Sequence, residues 1–344
     1  MTPDELRAVF DAPEPLTVGL EEEVMLLDPE TLDLAPIAPR LAEAGFKLEL
    51  PASQLEIVTP PLARVEDAIA CLEEGRRRLA AAASGIALPA AAGVHPFAAP
   101  LGELSAGERY AAILADYCDV ARSQLVCALQ VHVALGSADA TLAVYNALRG
   151  HLPELAALAA NAPFHAGRDT GLASVRPLIA GLLPRQGVPP AIESWEAFAS
   201  MLAWARVEPR QWWWELRPHP AFGTLEIRVC DTQTTLSDTR AVVSFAYALV
   251  VWLARRHFGG EALACAESWR IAENRWVACR WGVEGEFTDL ETGKRRPVRD
   301  VLRERAEQIG CSSVEPLIER NGAMRLRSAG LGGAARWLVD SFLV

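Results

Sequence analysis

Polar residues recur at alternate positions in four separate segments of the chain. On an extended strand, residues two apart share a face, so Glu21 and Glu23 point one way and Glu22 the other. Gln54 and Glu56 form a second same-face pair, with Glu49 a little upstream; Gln130 and His132 form a third, and Glu226 and Arg228 a fourth. One such pair alone describes a solvated sheet face. The third pair, however, is embedded in Leu125-Val126-Cys127-Ala128-Leu129, Val131 and Val133, the composition of a central strand, where an uncompensated polar group is costly. Carboxylate oxygens with one imidazole are the hard ligand set that suits Mg²⁺ or Mn²⁺, and converging acids repel one another unless cations lie between them. If those cations bridge the phosphates of a nucleotide, Arg228 supplies fixed positive charge for a phosphoryl group in transfer. The pattern reads as metal-dependent phosphoryl chemistry on a sheet face, and a metal-dependent hydrolase satisfies the same residues.

The elements that must position these groups follow from hydrophobic spacing. Strands are expected over Leu16 to Asp28, as two short pieces of Lys47 to Thr59 around Pro51, over Ile86 to His95, Leu125 to Leu135, Gln211 to Leu216 and Thr224 to Cys230, with Arg217-Pro218-His219-Pro220 separating the last two. Helical spacing predicts Arg64 to Ser84, Glu108 to Val120, Ala138 to Arg149, Pro153 to Ala160 and Trp195 to Arg206. The Gly/Pro-containing stretch Asn161 to Pro190 reads as a long irregular lid or substrate loop. From about residue 237 the chain is mostly helical, apart from a loop at Gly282 to Pro297. Strands first and helices afterwards argue an α+β fold with a mainly antiparallel sheet backed by helices, and no linker or repeat divides residues 1–344 into more than one domain.

Composition narrows the classes. With 344 residues, net charge −11, 51% hydrophobic and 22% charged residues, the chain can bury a large core and is not disordered. A nucleic-acid partner is not expected, because the basic runs are no longer than Arg76-Arg77-Arg78 and Lys294-Arg295-Arg296, which read as solvated faces. Lys47 and Lys294 are the only lysines, and Gly293-Lys294-Arg295 lacks the Ser/Thr of a phosphate loop. Met1 to Pro15 is acidic and does not read as a secretory signal. Ala241 to Ala254 reads as a core helix, so no membrane partner is expected. Seven scattered cysteines without a CxxC pair suit reduced, packed thiols in the cytoplasm.

Several short motifs occur together and in order: Val18-Gly19-Leu20-Glu21-Glu22-Glu23, Gln54-Leu55-Glu56-Ile57-Val58-Thr59-Pro60, Gly93-Val94-His95-Pro96-Phe97, Gln130-Val131-His132-Val133, Thr170-Gly171-Leu172-Ala173-Ser174-Val175-Arg176, Arg217-Pro218-His219-Pro220, Gly223-Thr224-Leu225-Glu226-Ile227-Arg228-Val229 and Asn274-Arg275-Trp276. In this order they resemble the type 2 glutamate-cysteine ligases, carboxylate-amine ligases of the glutamine synthetase-like superfamily. The resemblance implies an antiparallel sheet whose concave face receives ATP, Mg²⁺ (or Mn²⁺) and an acidic substrate. It also implies ATP-dependent joining of the glutamate side-chain carboxylate to the amine of cysteine through an acyl phosphate. Carried onto this chain, metal binding falls on Glu21, Glu23, Glu49, Glu56, His132 and Glu226, with Arg228 and Glu226 at the phosphoryl group. Arg176 and Arg217 are read as clamps on carboxylate or phosphate, since a guanidinium fork suits both, and Arg275 as a nucleotide or substrate contact. His95 and His219, each preceding a proline, are read as structural hydrogen-bonders. The partners implied are small molecules, namely ATP, an amino acid and an amine, with self-association left open. Two positions depart from the family pattern: Gln130 opens a segment that usually reads His-Val-His-Val-Gly, and Ala162 stands in one that usually reads Asn-Ser-Pro-Phe. A metal-dependent amide hydrolase on the same face, and a catalytically silent metal- or nucleotide-binding regulator, are the alternative readings.

Overall fold

The computed structural model describes residues 1–205, 207–208 and 211–344. Its strands are β1 (Val18–Leu27), β2 (Lys47–Leu48), β3 (Gln54–Val58), β4 (Leu88–Ala90), β5 (Ala128–Ala134), β6 (Phe164–His165), β7 (Arg168–Asp169), β8 (Leu216–His219), β9 (Thr224–Asp231), β10 (Glu286–Thr288) and β11 (Arg295–Pro297). Seven of them form one sheet in the order β2-β3-β1-β5-β9-β8, with β4 added on the far end of β1, and every pairing within it is antiparallel. This is the expected α+β architecture, a mainly antiparallel sheet backed by helices.

Alternation decides which face is which. Leu20, Val24 and Leu26 of β1, Leu55 and Ile57 of β3, Leu129, Val131 and Val133 of β5 and Leu225 and Ile227 of β9 all join one buried apolar cluster. The helix Val65–Ala83 covers this face with Ile69, Leu72 and Leu79, and so does the helix Leu236–Phe258. The latter is long and apolar enough to cross a membrane by length and composition, yet 61% of its most apolar window is buried within the protein, in keeping with a core helix. Thr235 caps it, its side-chain oxygen accepting from the Asp238 N–H at 3.1 Å.

Two residues break the apolar rule on the covered face, and they do so together. Glu22 and Arg76 are both fully buried, with Arg76 Nε and Nη2 donating to the Glu22 carboxylate at 2.7 and 2.6 Å. The remaining donors of Arg76 go to the carbonyls of Gln233, Thr234 and Phe342. The basic run that read as a solvated face therefore has its first member on the inward stripe of its helix, one turn beyond Leu72.

Several boundaries differ from the sequence expectation. Arg217, Pro218 and His219 belong to β8 instead of separating two strands, and of Gln211 to Leu216 only Leu216 is extended. The reason is position: β8 is the outermost strand, so the missing N–H of Pro218 costs no ladder bond on its open side. The stretch 161–190 is not one loop, since it holds the β6–β7 hairpin and the helix Arg176–Ala180. Residues 282–297 likewise contain the β10–β11 hairpin. Cys118, at φ 51°, splits the expected helix into Glu108–Tyr117 and Asp119–Arg122. The helix Trp195–Ala205 ends at the edge of the described residues, and the expected end at Arg206 lies outside them. All seven cysteines are free, but Cys118 and Cys265 are exposed instead of packed.

Candidate active site

The opposite face of the sheet carries the alternate set; its Met25 and Leu27 end packs on the C-terminal helices, and elsewhere strand register brings the polar members opposite one another. Glu23 faces Glu56 directly across β1 and β3, and Lys47 of β2 faces Glu56 from the other side. His132 faces Glu226 across β5 and β9, and Arg217 of β8 faces Glu226 in turn. Two triads result. Ligand atoms of Glu21, His132 and Glu226 lie within 4.8 Å of one another, and so do those of Glu23, Glu49 and Glu56.

In the first triad, His132 Nδ1 pairs with Thr224 Oγ1 at 3.0 Å, which fixes the ring. Its Nε2 is buried without a hydrogen-bond partner, 3.8 Å from Glu21 Oε1 and 4.0 Å from Glu226 Oε1. Burial works to raise the Glu21 carboxyl, but the facing imidazole of His132, with help from Lys47, carries it down to about 2. Glu226 is wholly buried, and Arg228 and Arg217 outweigh that burial to hold it well below the ordinary carboxylate range. Arg217 Nε reaches Glu226 Oε2 at 2.5 Å, and Arg228 Nη1 donates to its other oxygen.

The second triad is short of positive charge. Burial pushes Glu23 up to about 7, with Glu56 adding to the rise and Arg228 opposing it. Burial also raises Glu49 to about 7, with Glu23 contributing, and lifts Glu56 well above its ordinary value with Glu49 and Glu21 adding. Lys47 forms an ion pair with Glu56 from a half-exposed position. Three carboxylates this close, two buried and one partly so, together with an orphaned imidazole nitrogen facing two more, form a donor set that fits hard divalent cations.

Between the triads stands Gln130. Its Nε2 donates to Glu23 Oε1 at 3.0 Å, and its Oε1 accepts from Arg228 Nη1 at 2.6 Å. Of the other arginines read from the sequence, Arg217 lies beside the first triad with Nη1 on the Trp212 carbonyl. Arg176 reaches the wall of an adjacent cavity, but its Nε is taken by Asp231 at 2.7 Å and its Nη2 by the Val229 carbonyl at 2.6 Å. Arg275 stands one layer farther back, with Nε on both oxygens of Glu215 at 2.9 Å.

Sequence reasoning placed Gln130 on one face with His132 without giving it a role, and did not select Lys47 for the site, although Lys47 shares the alternation of Glu49 and was open to discovery by it. His219 was read as structural, and it sits at the first triad, with Nε2 3.9 Å from Glu226 Oε2 and its ring stacked on Phe222 at 4.3 Å. Burial holds its imidazole down to about 4, and its Nδ1 is buried without a partner. His95 does hold structure, with Nε2 paired to the Leu32 carbonyl and Nδ1 accepting from the Ala98 N–H, both at 2.9 Å.

Similarity to known proteins points in one direction. A protein of Rubrobacter xylanophilus named "Putative glutamate--cysteine ligase 2-3" is 36% identical over 88% of this chain and 88% of its own length. One of Gloeobacter violaceus, named "Putative glutamate--cysteine ligase 2", is 32% identical over 90% of this chain and 91% of its own. In fold, the chain is similar to the glutamate–cysteine ligase of Francisella tularensis, crystallised in complex with AMP (TM-score 0.69, 10% identity, 95% of this chain and 88% of that one). It is also similar to a bifunctional glutathione synthetase from Pasteurella multocida (TM-score 0.66, 16% identity), where it covers 99% of itself and 53% of the larger chain. The family model for glutamate-cysteine ligase family 2 matches residues 17–326, both triads included, and the chain belongs to that family.

Proposed function

We propose that this protein is an ATP-dependent carboxylate–amine ligase that joins the side-chain carboxylate of glutamate to the amine of cysteine through an acyl phosphate. The observation that carries the reading is the pair of ligand triads on one sheet face with Arg228 held between them. The names of the relatives and the AMP bound by the Francisella ligase support it.

In this reading Glu21, His132 and Glu226 hold one Mg²⁺ or Mn²⁺, and Glu23, Glu49 and Glu56 hold another. When bound, such cations neutralise nucleotide phosphates and polarise the phosphoryl group. Arg228 is fixed by Glu226 and Gln130 at the junction of the triads, so its charge is in place before reaction and needs no reorganisation. The acid substrate's carboxylate oxygen attacks the terminal phosphorus, forming a C–O–P linkage while the bond to the ADP oxygen breaks. The neutral amine then attacks the acyl carbon, a C–N bond forms as the acyl C–O bond breaks, and inorganic phosphate leaves with the oxygen that the carboxylate donated and takes up the proton lost from nitrogen. A hydrolase on the same face uses the same acids but requires no ATP.

The test is made with the full chain, Mg²⁺, ATP, L-glutamate and L-cysteine. ADP and phosphate appear only when both amino acids are present, and ¹⁸O placed in the glutamate side-chain carboxylate emerges in inorganic phosphate. Amide formation without label in phosphate overturns the acyl-phosphate route, and amide hydrolysis without ATP favours the hydrolase.

A further inference from the structure

Beside the second triad lies a cavity of about 120 Å³ whose wall runs from Glu23, Glu49 and Arg228 to Gln54, Arg109 and Trp213. Most of its polar wall is already engaged. Tyr110 Oη donates to the Leu48 carbonyl at 2.7 Å, Gln124 Nε2 to the Ile179 carbonyl at 3.1 Å, and Glu215 is held by Arg275. Gln54 is different. It is 1% exposed, it shares the face of Glu56 two residues on, and its Nε2 is buried without a hydrogen-bond partner. Such a donor is left unpaired at a cost that folding does not normally accept, so it marks a place for an acceptor from outside the chain. Arg109, on the same wall, makes no hydrogen bond or ion pair among the described residues; its guanidinium lies over the ring of Tyr110, 5.5 Å away, and near enough to Glu49 to draw that carboxyl down against its burial.

We infer that Gln54 and Arg109 form a carboxylate subsite, which takes the non-reacting carboxylate of an amino-acid substrate whose other end lies at Glu23 and Arg228. The inference rests on the ligase reading for which end of the substrate reacts. An amide N–H and a guanidinium suit a planar monoanion. A phosphate, with more negative charge, would be placed in the same small cavity as Glu23 and Glu49. Gln54 and Arg109 then select the acid substrate by its α-carboxylate, apart from the groups that act on its reacting end.

Binding of L-glutamate, L-glutamine and isoglutamine, the α-amide, is measured by calorimetry on the full chain with Mg²⁺ and a non-hydrolysable ATP analogue. Glutamine keeps the handle and isoglutamine loses it, so isoglutamine binds about 10- to 100-fold more weakly than glutamate, the range for a charge-assisted hydrogen bond. Arg109→Met, at an exposed position, and Gln54→Met, of similar size, each weaken glutamate and glutamine by about tenfold or more while leaving isoglutamine and the nucleotide analogue unchanged. Equal binding of glutamate and isoglutamine, or wild-type glutamate affinity in both variants, overturns the subsite. Loss of inorganic phosphate binding in these variants, with glutamate unaffected, overturns it in favour of a phosphate site. If the analogue binds and no amino acid does, the subsite fails and the ligase reading stands. If the amino acids follow the expected order but no pair of substrates drives ATP turnover, the ligase reading fails and the subsite stands.

Discussion

Replacing Glu22 by Gln tests the division of the sheet into a structural face and a chemical one, because its neighbours Glu21 and Glu23 lie on the other side. Glu22 and Arg76 are both 0% exposed and meet through two contacts of 2.6 and 2.7 Å. Glu22→Gln keeps the shape and removes the charge, leaving the Arg76 guanidinium buried among three carbonyl groups with no anion. Breaking one side of a buried ion pair costs about 3–5 kcal/mol. At about 2 °C per kcal/mol, the low end for large domains, the melting temperature falls by roughly 6–10 °C. Glu23→Gln acts in the opposite sense. It takes one negative charge out of a group of three carboxylates whose oxygens lie within 4.8 Å, so the metal-free melting temperature stays level or rises. Thermal and urea unfolding of both variants, without added metal, give the comparison. A loss in Glu23→Gln as large as that in Glu22→Gln, or no loss in Glu22→Gln, refutes the assignment of faces.

Glu56→Gln is expected to lower metal-dependent ATP turnover by about 100-fold or more with little change in melting temperature, because a ligand charge is lost and no core contact is; activity within a few-fold of wild type argues against the second triad as a cation site. Glu226→Gln loses activity and stability together, since it removes the buried carboxylate to which both Arg217 and Arg228 donate, and a variant as stable as wild type contradicts those pairs. Gln130→Leu weakens Mn²⁺ binding at both triads in an equilibrium titration, whereas a change confined to one site shows that Gln130 does not join them. For pH, burial works to raise the Glu154 carboxyl, but His151 and Arg305 bring it below its ordinary value of 4.5. A depressed carboxyl stabilises the fold above the unfolded value and loses that contribution as pH falls through the folded one, so Glu154→Gln flattens the acid side of the stability profile below about pH 5; an unchanged slope assigns acid unfolding elsewhere.

How much of this was legible in the sequence follows from which interactions are local. Alternation is a property of one strand, so the same-face pairs Glu21/Glu23, Gln54/Glu56 and Gln130/His132 were visible before any partner was known. Which residue sits opposite which depends on register, and nothing in the sequence placed Glu23 across from Glu56 or His132 across from Glu226. Arg76 was misread because a charge within a run of three looks solvated until its position on the inward helical stripe is weighed against the sequence-distant Glu22. His219 was misread for a related reason. Pro218 and Pro220 made its segment look like a turn, whereas an outer strand accepts proline, so residue 219 stays extended and turns toward Glu226.

The three consecutive glutamates of β1 show how one strand serves two purposes. Glu22 is matched by a permanent cation within the apolar core, while Glu21 and Glu23 on the opposite face join triads where permanent positive charge is incomplete. The link between the triads is then a matter of hydrogen-bond polarity. From Glu23 the chain of contacts runs through Gln130 to Arg228 and on to Glu226. An amide can donate to a carboxylate at one atom and accept from a guanidinium at the other. A carboxylate at position 130 would still accept from Arg228 but would repel Glu23, and an apolar side chain would release Arg228 to swing toward Glu23, whose charge already attracts it. The neutral residue thus keeps the arginine on Glu226 while holding Glu23 in its own triad. A change in either carboxylate is passed to the other through fixed donors and acceptors, which is why a single substitution at Gln130 is expected to disturb both sites.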